Sequence, residues 1–289
     1  MKIALIGAQG QLGSDIIRAN NEFCYEIISL NHRDIEITDF ENSYSALKVI
    51  KPEVIINTAA FHNVEVCEKE VERAYRVNSI GARNLGVIAN ELNSKLVHIS
   101  TDYVFDGIKK DTTTGYMEFH NPNPINIYGK SKLFGEELLK SVTNKYYILR
   151  TAWLYGDGGS KSKGGNFVRK MLELSKGQQE LKVVDDQIGT PTNTYYLAKQ
   201  ILELIKYPYY GTYHATCEGN GTWYEFALEI FKAAKIKIIV NPVGTKEFQT
   251  IAQRPKNSVL ENHMLKIQDL NIMPDWREAL KEYMDKLLN

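Results

Sequence analysis

Lys2-Ile3-Ala4-Leu5-Ile6-Gly7-Ala8-Gln9-Gly10-Gln11-Leu12-Gly13 is the stretch on which the fold turns. A short apolar run that ends in glycine reads as a buried strand, and the residues after Gly10 open an amphipathic helix reaching about Ala19. The three glycines have different uses. Gly7 permits a tight turn, Gly10 lets backbone N–H groups approach a pyrophosphate at the positive end of the helix, and Gly13 lets that helix lie close to the sheet. With Gln11 and Leu12 they form the expected phosphate-binding positions for a dinucleotide, although their spacing departs from G-x-G-x-x-G.

Outward from this strand, short apolar runs at Lys2–Ile6, Glu26–Leu30, Val54–Asn57, Leu96–Ser100 and Tyr147–Arg150 alternate with helical patterns. Strict alternation predicts an α/β fold, a doubly wound parallel sheet of the Rossmann kind, with ligands at the C-terminal ends of the strands. Residues 1–150 are read as the dinucleotide-binding domain. Residues 151–289 are read mainly as a smaller α/β substrate-binding lobe, partly interleaved with the first. Its strands are expected at Leu181–Val184, Gly211–Ala215 and Ile236–Val240, and its helices at about Asn166–Ser175, Thr194–Ile205, Trp223–Ala234 and Trp276–Leu288. The Gly156–Gly165 tract, rich in Gly, Ser and Lys, is expected to be a mobile loop.

Composition narrows the partners. Lys plus Arg number 35 against 35 Asp plus Glu, so no net charge draws the chain to nucleic acid or an anionic membrane. No apolar run approaches the roughly 18 residues of a membrane span. Cys24, Cys67 and Cys217 are scattered and lack C-x-x-C spacing, which argues against disulfides and structural zinc and for a reducing compartment. The apolar start is too short for a secretion signal, and a cytoplasmic protein is expected.

Cofactor choice should be made where the second strand ends, at Leu30-Asn31-His32-Arg33-Asp34. Arg33 suits a ribose 2′-phosphate and Asp34 a free hydroxyl, so the reading favours NADPH and leaves NADH open. Asp39 and Phe40 could flank the adenine, or Asp39 could cap the next helix. Small residues at Asn57-Thr58-Ala59-Ala60, followed by Phe61, would let a cofactor approach the backbone at the end of the third strand.

Chemistry is expected at Tyr128-Gly129-Lys130-Ser131-Lys132, where a phenol and an ammonium stand four residues apart on one helical face. A tyrosine of pKa about 10 exchanges protons poorly at neutrality, and a neighbouring cation would lower that value. Thr101, at the end of the fourth strand, is placed to hold a carbonyl oxygen near Tyr128.

Together these motifs resemble the dTDP-4-dehydrorhamnose reductases, a branch of the extended short-chain dehydrogenase/reductase family. The resemblance runs through Gly7-x-x-Gly10-Gln11-Leu12-Gly13, Ser100-Thr101-Asp102-Tyr103-Val104-Phe105-Asp106-Gly107, Tyr128-x-x-x-Lys132, Arg150-Thr151-Ala152-Trp153, Val184-Asp185-Asp186-Gln187 and Arg254-Pro255-x-Asn257-Ser258. It implies NADPH-dependent reduction of the C4 keto group of dTDP-4-dehydro-β-L-rhamnose, a step toward surface polysaccharide. It also implies roles: Tyr128 as proton donor, Lys132 lowering the Tyr128 pKa and holding the nicotinamide ribose, and Thr101 on the reacting oxygen. Asp102, Tyr103 and Trp153 would contact the sugar, with Arg254 and Asn257 near the nucleotide diphosphate.

The run Phe61-His62-Asn63-Val64-Glu65-Val66-Cys67 is bulkier than the family's usual version, and Phe248-Gln249 replaces a proline-bearing stretch. Some members dimerise through magnesium on C-terminal glutamates. Here Glu278 and Glu282 share a helical face, but a solvated pair is the preferred reading, so no metal ligand is assigned and a homodimer stays open. Two other functions compete: reduction of a related 4-keto-6-deoxy sugar nucleotide, and a silent dinucleotide-binding subunit like the accessory subunit of methionine adenosyltransferase.

Overall fold

The computed structural model describes residues 1–109, 114–158 and 165–288. The mobile-loop expectation for Gly156–Gly165 falls largely on residues 159–164, outside the described residues. The first half runs β1 (Lys2–Ile6), α1 (Gln11–Ala19), β2 (Glu26–Leu30), α2 (Phe40–Ile50), β3 (Val54–Asn57), α3 (Val64–Lys69) and α4 (Val71–Tyr75). A π-helical turn (Arg76–Ile80), α5 (Gly81–Glu91), β4 (Lys95–Thr101), a 3-10 turn (Asp102–Val104), α6 (Ile127–Lys140) and β5 (Tyr146–Thr151) follow. The remainder comprises β6 (Leu154–Tyr155), α7 (Phe167–Leu174), β7 (Glu180–Val184), β8 (Ile188–Gly189), β9 (Thr192–Asn193), α8 (Thr194–Leu204) and β10 (Gly211–His214). It ends with β11 (Gly221–Thr222), α9 (Trp223–Ala233), β12 (Ile239–Val243), α10 (His263–Ile267) and α11 (Trp276–Leu288).

Six parallel strands form the main sheet, in the order β10-β5-β4-β3-β1-β2. The order reverses at β1, whose neighbours are β2 and β3, so the crevice above β1 and β3 is the topological switch point. Both faces of the central strands are covered, which is why β1 and β3 read as apolar runs. Ile3 and Leu5 pack with Leu12, Ile16 and residues of α8 on one face, while Ala4 and Ile6 pack with Leu47, Leu85 and Leu139 on the other. Truncating a fully buried residue such as Leu5 or Ile56 to alanine would cost about 2–5 kcal/mol.

The sixth strand, β10, lies beyond residue 150 and pairs with β5 from Gly211↔Tyr147 to His214↔Arg150. Smaller pairs, β7 with β12, β8 with β11 and β6 with β9, lie outside the main sheet. The strand expected at Ile236–Val240 is found at Ile239–Val243, in register with β7. One hydrophobic cluster continues from Leu5 and Leu149 of the sheet to Phe226 of α9 and Trp276 of α11. Among the described residues no helix is long and apolar enough to cross a membrane.

Candidate active site

Gly7 has φ +79°, a conformation side chains rarely adopt, and Thr58 presses on it while donating its hydroxyl to the Ile6 carbonyl at 2.8 Å. Gly13 sits against the Gly7 carbonyl and Ala8, leaving no space for a β-carbon. The start of α1 has Gly10 as its N-cap, with no side chain bonding the first amides and no acid in the first turn. A helix end of that kind accepts an anion on its free N–H groups.

Beside it opens a cavity of about 920 Å³, lined by Gly7, His32, Ala60, Phe61, Arg73 and Arg76 among others. Its charged rim mixes Lys69, Arg73 and Arg76 with Glu36, Glu70 and Glu72, and Arg73 is paired with Glu70 at 2.9 Å, so Arg76 is the arginine left for an anion. Glycine turn, apolar wall and size fit a dinucleotide. Asn78, in the π-helical turn, braces this wall. Its Oδ1 accepts from Phe61 N–H at 2.8 Å, and its Nδ2 donates to the Phe61 carbonyl and to Ser131 Oγ, both at 3.0 Å. Ser131 lies on the helix that carries Tyr128, so Asn78 ties the cavity wall to the reacting group. No sequence motif pointed to Asn78, but a π-turn is a frequent mark of a functional site.

The reacting groups gather where β4 ends. Thr101 Oγ1 accepts from Tyr103 N–H at 3.2 Å and donates to Asp102 Oδ1 at 3.0 Å, and it bonds the Tyr128 hydroxyl. Helix α6 begins at the N-cap Asn126, whose Oδ1 accepts from Gly129 N–H at 2.8 Å. The rings of Tyr103 and Tyr128 meet edge to face at 6.0 Å. Burial pushes the Tyr128 phenol above its ordinary value; the Thr101 bond opposes this and the Asp102 carboxylate adds to it. Burial also pushes the Asp102 carboxyl up to about 6, against hydrogen bonds that pull it down.

Lys132 lies one turn along α6 from Tyr128, buried, with partners on β4. Its ammonium was expected to act on Tyr128, but Nζ donates to the Ile99 carbonyl at 2.5 Å and faces His98 Nε2 at 3.1 Å. Burial brings Lys132 down to about 8, with Glu136 opposing. The Tyr128 pKa moves up and not down, with burial as the largest cause. Under this layer Glu136, fully buried, pairs with Arg150 at 2.7 Å and accepts from Ser100 Oγ at 2.5 Å.

Several other expectations are corrected. Arg33 is exposed and does not line the cavity, because Asn31 Oδ1 holds the Arg33 N–H and Asp34 Oδ2 holds the Asn31 N–H, each at 2.8 Å, in a closed turn. That bond also engages Asp34, and the cavity's arginines are Arg73 and Arg76. Asp39 is the N-cap of α2, accepting from Asn42 N–H at 3.0 Å, and Phe40 packs on Tyr44 and the core. Asn257 is buried and spends both ends on backbone, donating to the Lys109 carbonyl at 2.9 Å and accepting from Val259 N–H at 3.2 Å.

On the expected sugar side, Arg254 bonds Tyr103 and forms an ion pair with Glu65 at 2.9 Å. Glu65 also accepts from Ile251 N–H at 2.8 Å. Trp153, at φ +45°, stacks flat on Trp223 at 3.6 Å, above Gly189, where any side chain would strike the indole. Glu65 and Trp223 were not assigned from sequence; only the packing shows them.

A doubly wound parallel sheet with a glycine turn at its switch point and a Tyr-x-x-x-Lys helix at the neighbouring strand end defines the class: a short-chain dehydrogenase/reductase. The family model described as the RmlD substrate binding domain matches residues 1–289, and the chain belongs to that family. It is similar to the spore coat polysaccharide biosynthesis protein SpsK of Bacillus subtilis, at 40% identity over 99% of this chain and 97% of that one. Among solved structures it resembles a dTDP-4-dehydrorhamnose reductase of Clostridium acetobutylicum, with TM-score 0.94, 45% identity and full coverage of both chains. It also resembles the dTDP-4-dehydrorhamnose reductase of Bacillus anthracis in complex with NADP, with TM-score 0.93, 43% identity and coverage of 99% of this chain and 100% of that one.

Proposed function

We propose that this chain reduces the C4 ketone of dTDP-4-dehydrorhamnose to the alcohol, with NADPH as the reductant. The observation that carries the reading is the gathering of Thr101, Tyr103 and Tyr128 where β4 ends, with Tyr128 on a helix that Asn78 ties to the wall of the switch-point cavity at Phe61. When bound, the reduced nicotinamide supplies hydride. Everything else falls to the protein.

Reduction of a ketone consumes a proton, so the donor must hold one at neutral pH. Burial raises the Tyr128 pKa and keeps that proton on the phenol until negative charge develops on the substrate oxygen. Thr101 touches the same hydroxyl and orients it. The free amides of α1 suit the pyrophosphate, and Ala59, Ala60 and Phe61 the adenosine half. Arg254, released from Glu65, offers a planar fork for the sugar-nucleotide diphosphate, while Asp102, Tyr103 and Trp153 are the assigned sugar contacts.

The test is direct: mix the protein with NADPH and dTDP-4-dehydrorhamnose and follow nicotinamide absorbance. Consumption of NADPH with formation of dTDP-rhamnose is expected. Turnover of a different 4-keto-6-deoxy sugar nucleotide alone would reassign the substrate, and tight dinucleotide binding without turnover of any would point to a regulatory subunit.

A further inference from the structure

The buried hydrogen bonds beneath Lys132 can be assigned one proton at a time. Ala59 N–H can only donate, and it donates to Asn57 Oδ1 at 3.0 Å. That fixes the Asn57 amide with Nδ2 toward His98, 3.2 Å from Nδ1. An amide NH₂ only donates, so Nδ1 of His98 accepts. A neutral imidazole has one proton, and it is then on Nε2, 3.1 Å from Lys132 Nζ. An ammonium has no lone pair, so a charged Lys132 would meet Nε2–H donor against donor, whereas an amine accepts from it and still donates to the Ile99 carbonyl.

No rearrangement inside the site removes the surplus proton. Turning the Asn57 amide over would set Nδ2 against Ala59 N–H, and charging His98 would add a donor. Burial, with Lys132 beside it, holds the His98 pKa well below its ordinary value. Asn57, His98 and Lys132 are each 1% exposed, so water cannot supply the missing acceptor from outside.

The charges around this chain are accounted for. Glu136, one turn along α6, faces Lys132 but is already shared with Arg150 of β5 and Ser100 of β4, and Lys140 stands 3.9 Å behind it. Glu68 of α3 accepts from Ile127 N–H at the start of α6, and Asp102 acts on Tyr128. Burial already lowers Lys132 to about 8, and the donor facing it acts in the same direction.

We propose that the Asn57–His98 relay selects the amine form of Lys132 in the cofactor-free chain, and that binding a nicotinamide dinucleotide is coupled to uptake of one proton by Lys132. The proton comes from solvent and goes to Nζ; no other bond is made or broken. Ribose hydroxyls both donate and accept, so they satisfy an ammonium where Nε2–H does not. His98 acts through Lys132 and is a positioning residue. The coupling rests on the reading that Lys132 holds the cofactor ribose; the relay itself does not.

Two measurements separate those claims. In the cofactor-free protein, ¹⁵N NMR of the His98 ring should show the Nε2–H tautomer, and an Nδ1–H tautomer would overturn the relay whatever the enzyme reduces. Calorimetric titration with NADPH, in buffers of different ionisation enthalpy at about pH 8.5, should show uptake approaching one proton, since an amine near pKa 8 is then mostly uncharged. In His98→Gln, whose Oε1 can accept from an ammonium, uptake should fall to a small fraction while binding persists. No uptake in the native protein, or equal uptake in both, refutes the coupling. Failure of NADPH to bind refutes it together with the proposed function, while the NMR result stands.

Discussion

Gly129 rests its bare α-carbon against the backbone carbonyl of Tyr103, so closely that a β-carbon there would overlap the oxygen. Helix α6 therefore sits directly on the turn that holds Asp102 and Tyr103. Thr101 reaches the Tyr128 hydroxyl because of that seating, and the glycine inside Tyr128-Gly129-Lys130 is explained by it.

Gly129→Ala must lift the start of α6 away from the turn. It should cost about 1–3 kcal/mol in denaturant unfolding, as overpacked sites do, and lower kcat by more than about tenfold through misalignment of Tyr128. Stability lost with kcat intact would show that the seating does not align the phenol.

Tyr128→Phe keeps the ring that packs on Tyr103 and removes only the acid. Turnover should fall by about 10²–10⁴-fold. NADPH affinity, measured by fluorescence titration, should change little. Substantial residual turnover would mean that another group supplies the proton.

Arg76 lines the switch-point cavity, with no ion pair among the described residues, whereas Arg33 points outward. Arg76→Ala should therefore weaken NADPH more than NADH, by about 1–2 kcal/mol for a lost charge-assisted bond, and Arg33→Ala should leave the ratio of the two affinities unchanged. The reverse pattern would return the 2′-phosphate contact to Arg33.

Glu136 offers a pH test. Burial pulls its carboxyl upward, but Arg150 and Ser100 together outweigh burial and hold it below the ordinary value. A depressed folded pKa contributes stability above the unfolded value and loses it as pH falls through the folded one. Glu136→Gln should cost about 3–5 kcal/mol at neutral pH, and its deficit against the native protein in urea should shrink below about pH 4. A deficit independent of pH would count against the ion pair.

Strands buried on both faces announce themselves as apolar runs, so β1 and β3 were legible to the residue, and edge strand β2 was legible through Ile27, Ile28 and Leu30. The glycine turn and the Tyr-x-x-x-Lys pair were legible because backbone geometry and helix period restrict which residues serve there. What escaped depends on contacts between distant segments. The His98–Lys132 contact crosses from β4 to α6, and the Asn78 brace joins the π-turn to Phe61 and Ser131. Nor can a sequence say which arginine of several faces a cavity: Arg33 stood nearest the strand end, and a local turn of Asn31 and Asp34 directs it outward. Trp153 was given a role, but Trp223, its stacking partner, is seventy positions on, and its motif Trp223-Tyr224-Glu225-Phe226 does not say what the indole packs against.

The last strand to join the sheet is made late. A ribosome will have released the glycine turn, the tyrosine helix and β5 before Gly211–His214 exists, and until then Tyr147–Arg150 is an unpaired edge, a template for any extended polypeptide nearby. Synthesis thus passes through an interval in which every catalytic side chain is present on a half-finished scaffold prone to sticking. A gene cut after β5 would yield that adhesive fragment and not a minimal enzyme.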